Sequence, residues 1–162
     1  MGKYGVRTAY SASEALKRLD DGVDVTLLDR RLPDGSGDEI LEQINGRRPA
    51  CRVAVVTAVA PDFDILDMDF DDYIVKPVGR SELRDTVEQM LTRSEFRSLV
   101  REYFALLSKY ATLKTHKTEA ELEKSTEFVR LEAQIERRRD ELDELTTAFN
   151  HEDVRLLRRD IV

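Results

Sequence analysis

The chain has 162 residues and a formal net charge of −7, with 26 Lys and Arg against 33 Asp and Glu. This length allows one domain of ordinary size or two small ones. The sequence shows neither a run of about 18 apolar residues nor a charged-then-apolar leader, so we expect a cytoplasmic protein with no membrane partner rather than a membrane or secreted one.

The charge is divided unevenly along the chain. Residues 1–91 carry 12 Lys and Arg against 18 Asp and Glu (−6), and residues 92–162 carry 14 against 15 (−1). A domain that holds DNA through its phosphates usually shows a basic excess or stripe. The second half has no such basic excess. DNA or the transcription machinery therefore stays an open alternative as partner, but no basic patch supports it.

The predicted elements alternate between strands and helices over the first 91 residues. Short apolar runs predict strands at about 5–10, 23–28, 52–56 and 73–75. Helices are predicted from Ser11 or Ser13 to about Asp20, from Gly37 to about Asn45, and from a cap at Ser81, with one short helix and a loop at 61–72. This alternation is typical of a parallel, doubly wound α/β sheet. The single Cys51 permits no internal disulfide, and we expect a buried or edge thiol.

Three of the predicted strands end on polar side chains. Asp29 follows the second strand, Thr57 closes the third, and Lys76 follows the fourth. Parallel strands place these ends at one edge of the sheet, where ligands bind in open α/β folds. A carboxylate, a hydroxyl and an ammonium make a phosphoryl site there, with Asp29 as the acceptor nucleophile. Thr57 then donates a hydrogen bond, and Lys76 acts as a point charge on the phosphoryl oxygens.

The pieces LLDRRLPDGSG, VVTA and DDYIVKP, in this order and at these separations, resemble the receiver domain of two-component response regulators. The resemblance covers residues 1–91 and implies a flavodoxin-like sheet with strand order 2-1-3-4-5. It also implies phosphorylation of Asp29 by a sensor histidine kinase, with Thr57 and Lys76 as catalytic residues and Thr57 and Tyr73 as the switch. A receiver of this kind is a signalling protein, so we do not expect an enzyme.

The same resemblance implies that the first strand of the family's sheet, which lies at its centre, is missing. That strand carries an acidic pair that holds Mg²⁺ together with the phospho-acceptor, and no Asp-Asp or Glu-Asp pair precedes Tyr4. We therefore expect only a partial metal site at Asp29 and weak Mg²⁺ binding, because the ion supplies much of the charge neutralisation in phosphoryl transfer. A late start, a truncated copy and a degenerate receiver are the explanations left open.

From Ser94 onward the pattern is helical, with apolar residues repeating every seven positions. The first helix carries two such columns: Phe96, Tyr103 and Tyr110, and Leu99, Leu106 and Leu113. Thr118 and Glu121 form a capping box for a second helix. Its columns are Phe128, Ile135, Leu142 and Phe149, and Leu131 and Leu145 with Arg138 between them. Because neither helix can bury its stripe alone, we predict an antiparallel coiled-coil hairpin or a homodimer of it.

Residues 92–162 resemble the HalX-type output domain attached to receivers of halophilic archaea, a family of transcription regulators. Two functions follow. The first is a phosphorelay response regulator that accepts a phosphoryl group on Asp29 and regulates transcription through the helical domain. The alternative is a degenerate, phosphorylation-independent receiver that acts as a coiled-coil interaction module.

Overall fold

The computed structural model describes residues 3–47 and 50–159, with side chains described as far as residue 148. The chain divides into two compact units, Met1–Leu91 and Thr92–Val162. Among the helices of the described residues, none is both long enough and apolar enough to cross a bilayer.

A parallel three-stranded sheet organises the first unit. Its elements in chain order are α1 (Ala12–Arg18), β1 (Val25–Leu28), β2 (Arg31–Leu32), β3 (Gly35–Ser36), α2 (Gly37–Arg47), β4 (Arg52–Thr57), a 3-10 helix (Phe63–Asp67), β5 (Asp72–Val75) and the start of α3 (Arg80–His116). The sheet has the order β1-β4-β5. Leu28 lies opposite Val55, and Thr57 lies opposite Val75, with both pairings parallel. The predicted α/β class is confirmed.

The central strand β4 is buried on both faces of the sheet, as its uninterrupted apolar run predicts. Val53 packs with Leu28 and with the helix α2 residues Ile40 and Ile44. The next residue along, Ala54, packs with Met90 of α3 on the opposite face. Cys51, just before β4, is 7% exposed, as expected for a buried thiol. Its Sγ lies 3.3 Å from the Thr26 hydroxyl, and burial raises the pKa of the thiol.

The predicted strand at residues 5–10 is wrong. This segment has no regular secondary structure, and Val6 and Tyr10 are 82% and 76% exposed. A strand is held by its ladder of hydrogen bonds to a neighbour, and in the described residues β1 pairs with β4 alone. The residue pattern of a strand is present, but within the described residues this segment forms no hydrogen-bond ladder with a neighbouring strand.

In the first unit, a side-chain hydroxyl caps the start of α1, and a main-chain carbonyl accepts the first helical hydrogen bond of α3. The Ser11 hydroxyl accepts from the Glu14 N–H at 3.2 Å, which makes Ser11 the N-cap of α1. The predicted cap at Ser81 is wrong by two residues: α3 begins at Arg80, and the Gly79 carbonyl accepts from the Leu83 N–H at 3.1 Å. Ser81 therefore lies inside the first turn.

The second unit contains the remainder of α3, a short helix α4 (Glu119–Glu123) and α5 (Thr126–Arg159). The predicted capping box is present, since the Thr118 hydroxyl accepts from the Glu121 N–H and the Glu121 carboxylate accepts from the Thr118 N–H. The second helix is broken after α4, which the sequence pattern did not predict. At that break the Ser125 hydroxyl accepts from the Phe128 N–H at 3.2 Å and restarts the helix.

The apolar columns of α3 and α5 pair within one chain, in the antiparallel sense. The rings of Tyr110 and Phe128 stack with centroids 5.4 Å apart. Leu106 and Ile135 pack on the same cluster. Further along, Arg138 lies 3.0 Å from Glu102.

Partners therefore move back along α3 as they advance along α5, which is the hairpin arrangement. Leu113 departs from the expected seam because it is 36% exposed. It lies beyond the Tyr110–Phe128 stack. Phe149, the last member of its column, lies outside the residues whose side chains are described.

Candidate functional site

The carboxylate of Asp29 lies at the carboxyl edge of the sheet, directly after the buried Leu28 that ends β1. The Lys76 ammonium donates to its Oδ2 at 2.8 Å, and the Arg31 main-chain N–H donates to its Oδ1 at 3.1 Å. The Thr57 side chain also acts to lower the pKa of this carboxyl. The structure thus brings together the three residues that the sequence placed at strand ends.

Strand pairing accounts for this convergence. Thr57 is the last residue of β4 and is completely buried. Its carbonyl accepts from the Lys76 N–H at 2.8 Å, which continues the β4–β5 ladder to the point where the Lys76 side chain leaves it. The Lys76–Pro77 peptide is cis. The lysine side chain then spans the end of the central strand to reach Asp29.

The electrostatics of the site favour the ionised form of Asp29. Partial burial acts to raise the pKa of this carboxyl. Hydrogen bonds from Lys76 and the Arg31 N–H, with a further contribution from the Thr57 side chain, outweigh burial, so the pKa lies below its usual value. Asp29 and Lys76 retain 30% and 46% side-chain exposure, so the carboxylate is both charged and open to a reactant. These are the properties of an accessible nucleophile.

Tyr73, the predicted switch aromatic, lies on β5 and is half-buried. Its hydroxyl donates to the Val59 carbonyl at 2.8 Å, and its ring packs 5.6 Å from that of Phe70. The Val59 N–H in turn donates to the Thr57 hydroxyl at 3.3 Å. The two residues predicted to form the switch are therefore linked through Val59, in the segment that follows β4.

Arg30 is a residue of this edge that the sequence did not single out. Its guanidinium holds Asp38, at the start of α2, through two hydrogen bonds of 3.1 and 3.0 Å, and it also binds Asp64 of the 3-10 helix. Its side chain is 13% exposed. Hydrogen bonds to Asp38 and Asp64, with a further contribution from Tyr73, hold the pKa of Arg30 above its usual value. The residues that contact or influence Arg30 lie 8 to 43 positions away in sequence, so no local sequence pattern identifies its role.

Gly37, at the start of α2, permits a close approach of two main-chain segments beside Asp29. A Cβ atom built at Gly37 would lie 2.1 Å from the Asp29 carbonyl oxygen and 2.8 Å from the Arg30 Cα. The Gly37 N–H donates to the Arg30 carbonyl at 2.9 Å. The glycine therefore holds the chain after β1 against the helix, where no side chain would fit.

The described residues do not form a set of ligands for Mg²⁺ around Asp29. Each of its carboxylate oxygens already accepts a hydrogen bond. Within the described ranges, no three His, Cys, Asp or Glu side chains come together as metal ligands. Asp71 lies at the opposite end of the sheet, where its carboxylate accepts from the Val53 N–H at 2.8 Å. A hard dication prefers several oxygen ligands, which this set does not supply.

The family model of the response regulator receiver domain matches residues 1–88. The chain belongs to this receiver family. A second model, that of the HalX domain, matches residues 92–157, so the predicted order of a receiver followed by HalX is confirmed.

Relatives support the same family. A protein of Haloferax volcanii named "Putative transcriptional regulator" is 50% identical over 153 residues, covering 88% of this chain and 26% of that protein. A cyclic di-GMP phosphodiesterase of Thermotoga maritima is 33% identical over 118 residues, covering 67% of this chain and 32% of that protein. The chain thus spans about a third or less of the length of either relative.

A solved structure agrees with the fold. The response regulator receiver domain protein (CheY-like) of Methanospirillum hungatei superposes with a TM-score of 0.53 at 31% identity, covering 57% of this chain and 78% of that chain. The likeness rests on the parallel sheet and its covering helices. It extends the family assignment from sequence to three-dimensional structure.

Proposed function

We propose that this receiver accepts a phosphoryl group on Asp29 and passes the signal to its HalX domain, which regulates transcription. The observation that carries the proposal is the Asp29 carboxylate, ionised and partly exposed, with Lys76 at 2.8 Å and Thr57 at the end of the neighbouring strand β4. The donor is a sensor histidine kinase, since receivers pair with such kinases. The working units are residues 1–91 as receiver and 92–162 as output domain.

The reaction transfers a phosphoryl group from a phosphohistidine nitrogen to an Asp29 oxygen. The P–N bond breaks, a P–O bond forms, and the product is an acyl phosphate. Asp29 enters as a carboxylate because its pKa is low. Lys76 neutralises part of the phosphoryl charge, and the Thr57 hydroxyl donates to a phosphoryl oxygen. We expect weak Mg²⁺ binding, because the described residues bring no group of three metal ligands together at Asp29.

The helical unit suits an assembly or output role. Its hairpin buries Leu122, Phe128 and Leu131 and leaves Phe104 64% exposed. Its charge is near neutral, which offers no phosphate-binding excess, so regulation through a protein partner fits the composition better than direct DNA binding. Whether two hairpins form a homodimer is decided by sedimentation of the intact chain.

One observation favours a second function. Within the described residues, no three His, Cys, Asp or Glu side chains come together as metal ligands, at Asp29 or elsewhere. A receiver without its metal transfers phosphate slowly, because the dication supplies charge neutralisation. The alternative is therefore a phosphorylation-independent interaction module built on the helical hairpin.

Intact-mass spectrometry after incubation with acetyl phosphate and Mg²⁺ distinguishes the two. The wild-type chain should gain one phosphoryl group, and Asp29→Asn should gain none. Asp24→Asn, an exposed carboxylate just before β1, is the matched control and should be phosphorylated like the wild type. An adduct that survives Asp29→Asn removes the acceptor assignment, and a wild type that never gains one favours the interaction module.

A further inference from the structure

The segment that follows β4 presents two apolar side chains to solvent. Phe63 and Leu66 are 84% and 78% exposed and lie three residues apart in the 3-10 helix, where such positions share a side. Two side-chain contacts join this segment to the site. The Tyr73 hydroxyl donates to the Val59 carbonyl, and the Arg30 guanidinium binds the Asp64 carboxylate.

The Arg30 guanidinium joins three parts of the first unit. Arg30 belongs to the turn after β1, and its guanidinium holds Asp38 of α2 and Asp64 of the 3-10 helix. A planar guanidinium presents five N–H donors in a fixed fork, so it can hold several acceptors at once. A change at one acceptor therefore shifts the guanidinium and alters its contact with the other acceptor.

The two carboxylates bind Arg30 unequally. Asp38 takes two N–H groups in a bidentate contact, whereas Asp64 takes one. The Asp64 side chain is also 51% exposed, against 40% for Asp38. A half-exposed carboxylate in a single contact is readily solvated, and such pairs contribute little to stability. Asp64 is thus the ligand that Arg30 releases most easily.

We propose that Arg30 is a positioning residue that couples Asp29 to residues 58–67, by releasing Asp64 when a phosphoryl group on Asp29 draws the guanidinium toward it. This inference rests on the proposed function of Asp29. A phosphoryl group adds charge and three strong acceptor oxygens beside Arg30 in sequence. Release of Asp64 frees the 3-10 helix and changes the presentation of Phe63 and Leu66.

Amide ¹⁵N–¹H spectra of the full chain test the coupling. In the wild type, the peaks of residues 62–67 should move on phosphorylation with acetyl phosphate. In Arg30→Gln and in Asp64→Asn, the peaks of the unphosphorylated protein should already be displaced toward the positions seen in the phosphorylated wild type. When two states exchange quickly, the position of a peak reports the populations of the two states. Phosphorylation should then shift them by less than a quarter of the wild-type displacement, a roughly fourfold loss of response.

Controls separate coupling from fold. Arg47→Gln removes an exposed arginine at the end of α2 and should respond as the wild type does. Melting temperatures of all variants show that each is folded, and intact mass of the same samples gives the phosphoryl stoichiometry. Equal phosphorylation with an undiminished shift in Arg30→Gln overturns the Arg30 proposal while the function of Asp29 stands. Absence of the adduct in the wild type overturns the function of Asp29, and the coupling with it.

Discussion

The Lys76 ammonium lies 2.8 Å from Oδ2 of Asp29, and this contact joins the ends of β5 and β1 across the buried end of β4. The two residues are 47 positions apart in sequence. Neither is fully desolvated, so the contact is better understood as setting the charge of the site than as a large source of stability.

The contact makes stability depend on pH in the acid range. Because the folded pKa of Asp29 lies below its unfolded value, the stabilisation is present above the unfolded pKa, about 3.9, and is lost as the pH falls through the folded pKa. Lys76→Met should raise the pKa of Asp29, measured by ¹³C titration of the carboxyl. It should also flatten the fall of unfolding free energy between about pH 5 and pH 3. An unchanged Asp29 titration in Lys76→Met would show that the ammonium does not set this pKa.

A methyl group at Gly37 should disturb the site through the main chain. Its Cβ would meet the Asp29 carbonyl oxygen at 2.1 Å, a contact that only backbone movement relieves. We expect Gly37→Ala to lower the free energy of unfolding by about 1–3 kcal/mol, as overpacking does. Gly46→Ala is the matched control, because nothing lies within 4 Å of its Cβ position near the end of the same helix. It should stabilise by about 0.4–1 kcal/mol in urea unfolding, and similar effects of the two substitutions would contradict the close approach.

Charges placed in the hairpin seam should unfold it without changing assembly. Leu106 and Ile135 pack on the cluster of Leu122, Phe128 and Leu131 within one chain. Leu106→Asp and Ile135→Asp should each lower helicity and stability, by about 1–3 kcal/mol, while sedimentation reports the same assembly state as the wild type. Leu113→Asp, in the same column but 36% exposed, should have a much smaller effect. Dissociation of a dimer by either seam variant would show that the columns pair between chains.

Residues whose conformation depends on near neighbours in sequence were predicted well. Strands β1, β4 and β5 follow from apolar runs that end in turn residues, and the three polar strand ends converge because parallel strands share an edge. The Thr118–Glu121 capping box is a local device and was likewise predicted.

The features that the sequence did not predict share one cause: each depends on partners that lie far away in the sequence. The strand pattern of residues 5–10 has no paired strand within the described residues. Arg30 draws its role from the carboxylates of Asp38 and Asp64. The Asp34 carboxylate accepts from the N–H groups of Ala12 and Ser13 at 2.6 and 3.0 Å, a contact across the fold that its own turn does not indicate. Such contacts are invisible to periodicity, which registers only which face of an element is apolar.

The buried thiol of Cys51 can be used to measure local opening of the sheet. It is the one cysteine in the sequence, it is 7% exposed in the core of the sheet, and the hairpin half contains none. A thiol reagent reaches such a sulfur during transient opening, so the labelling rate measures how often the region around β4 separates from its neighbours. Because the helical unit contains no cysteine, labelling of Cys51 reports on the receiver unit alone. The free energy of local opening in the receiver unit can therefore be followed in the intact chain without adding a label.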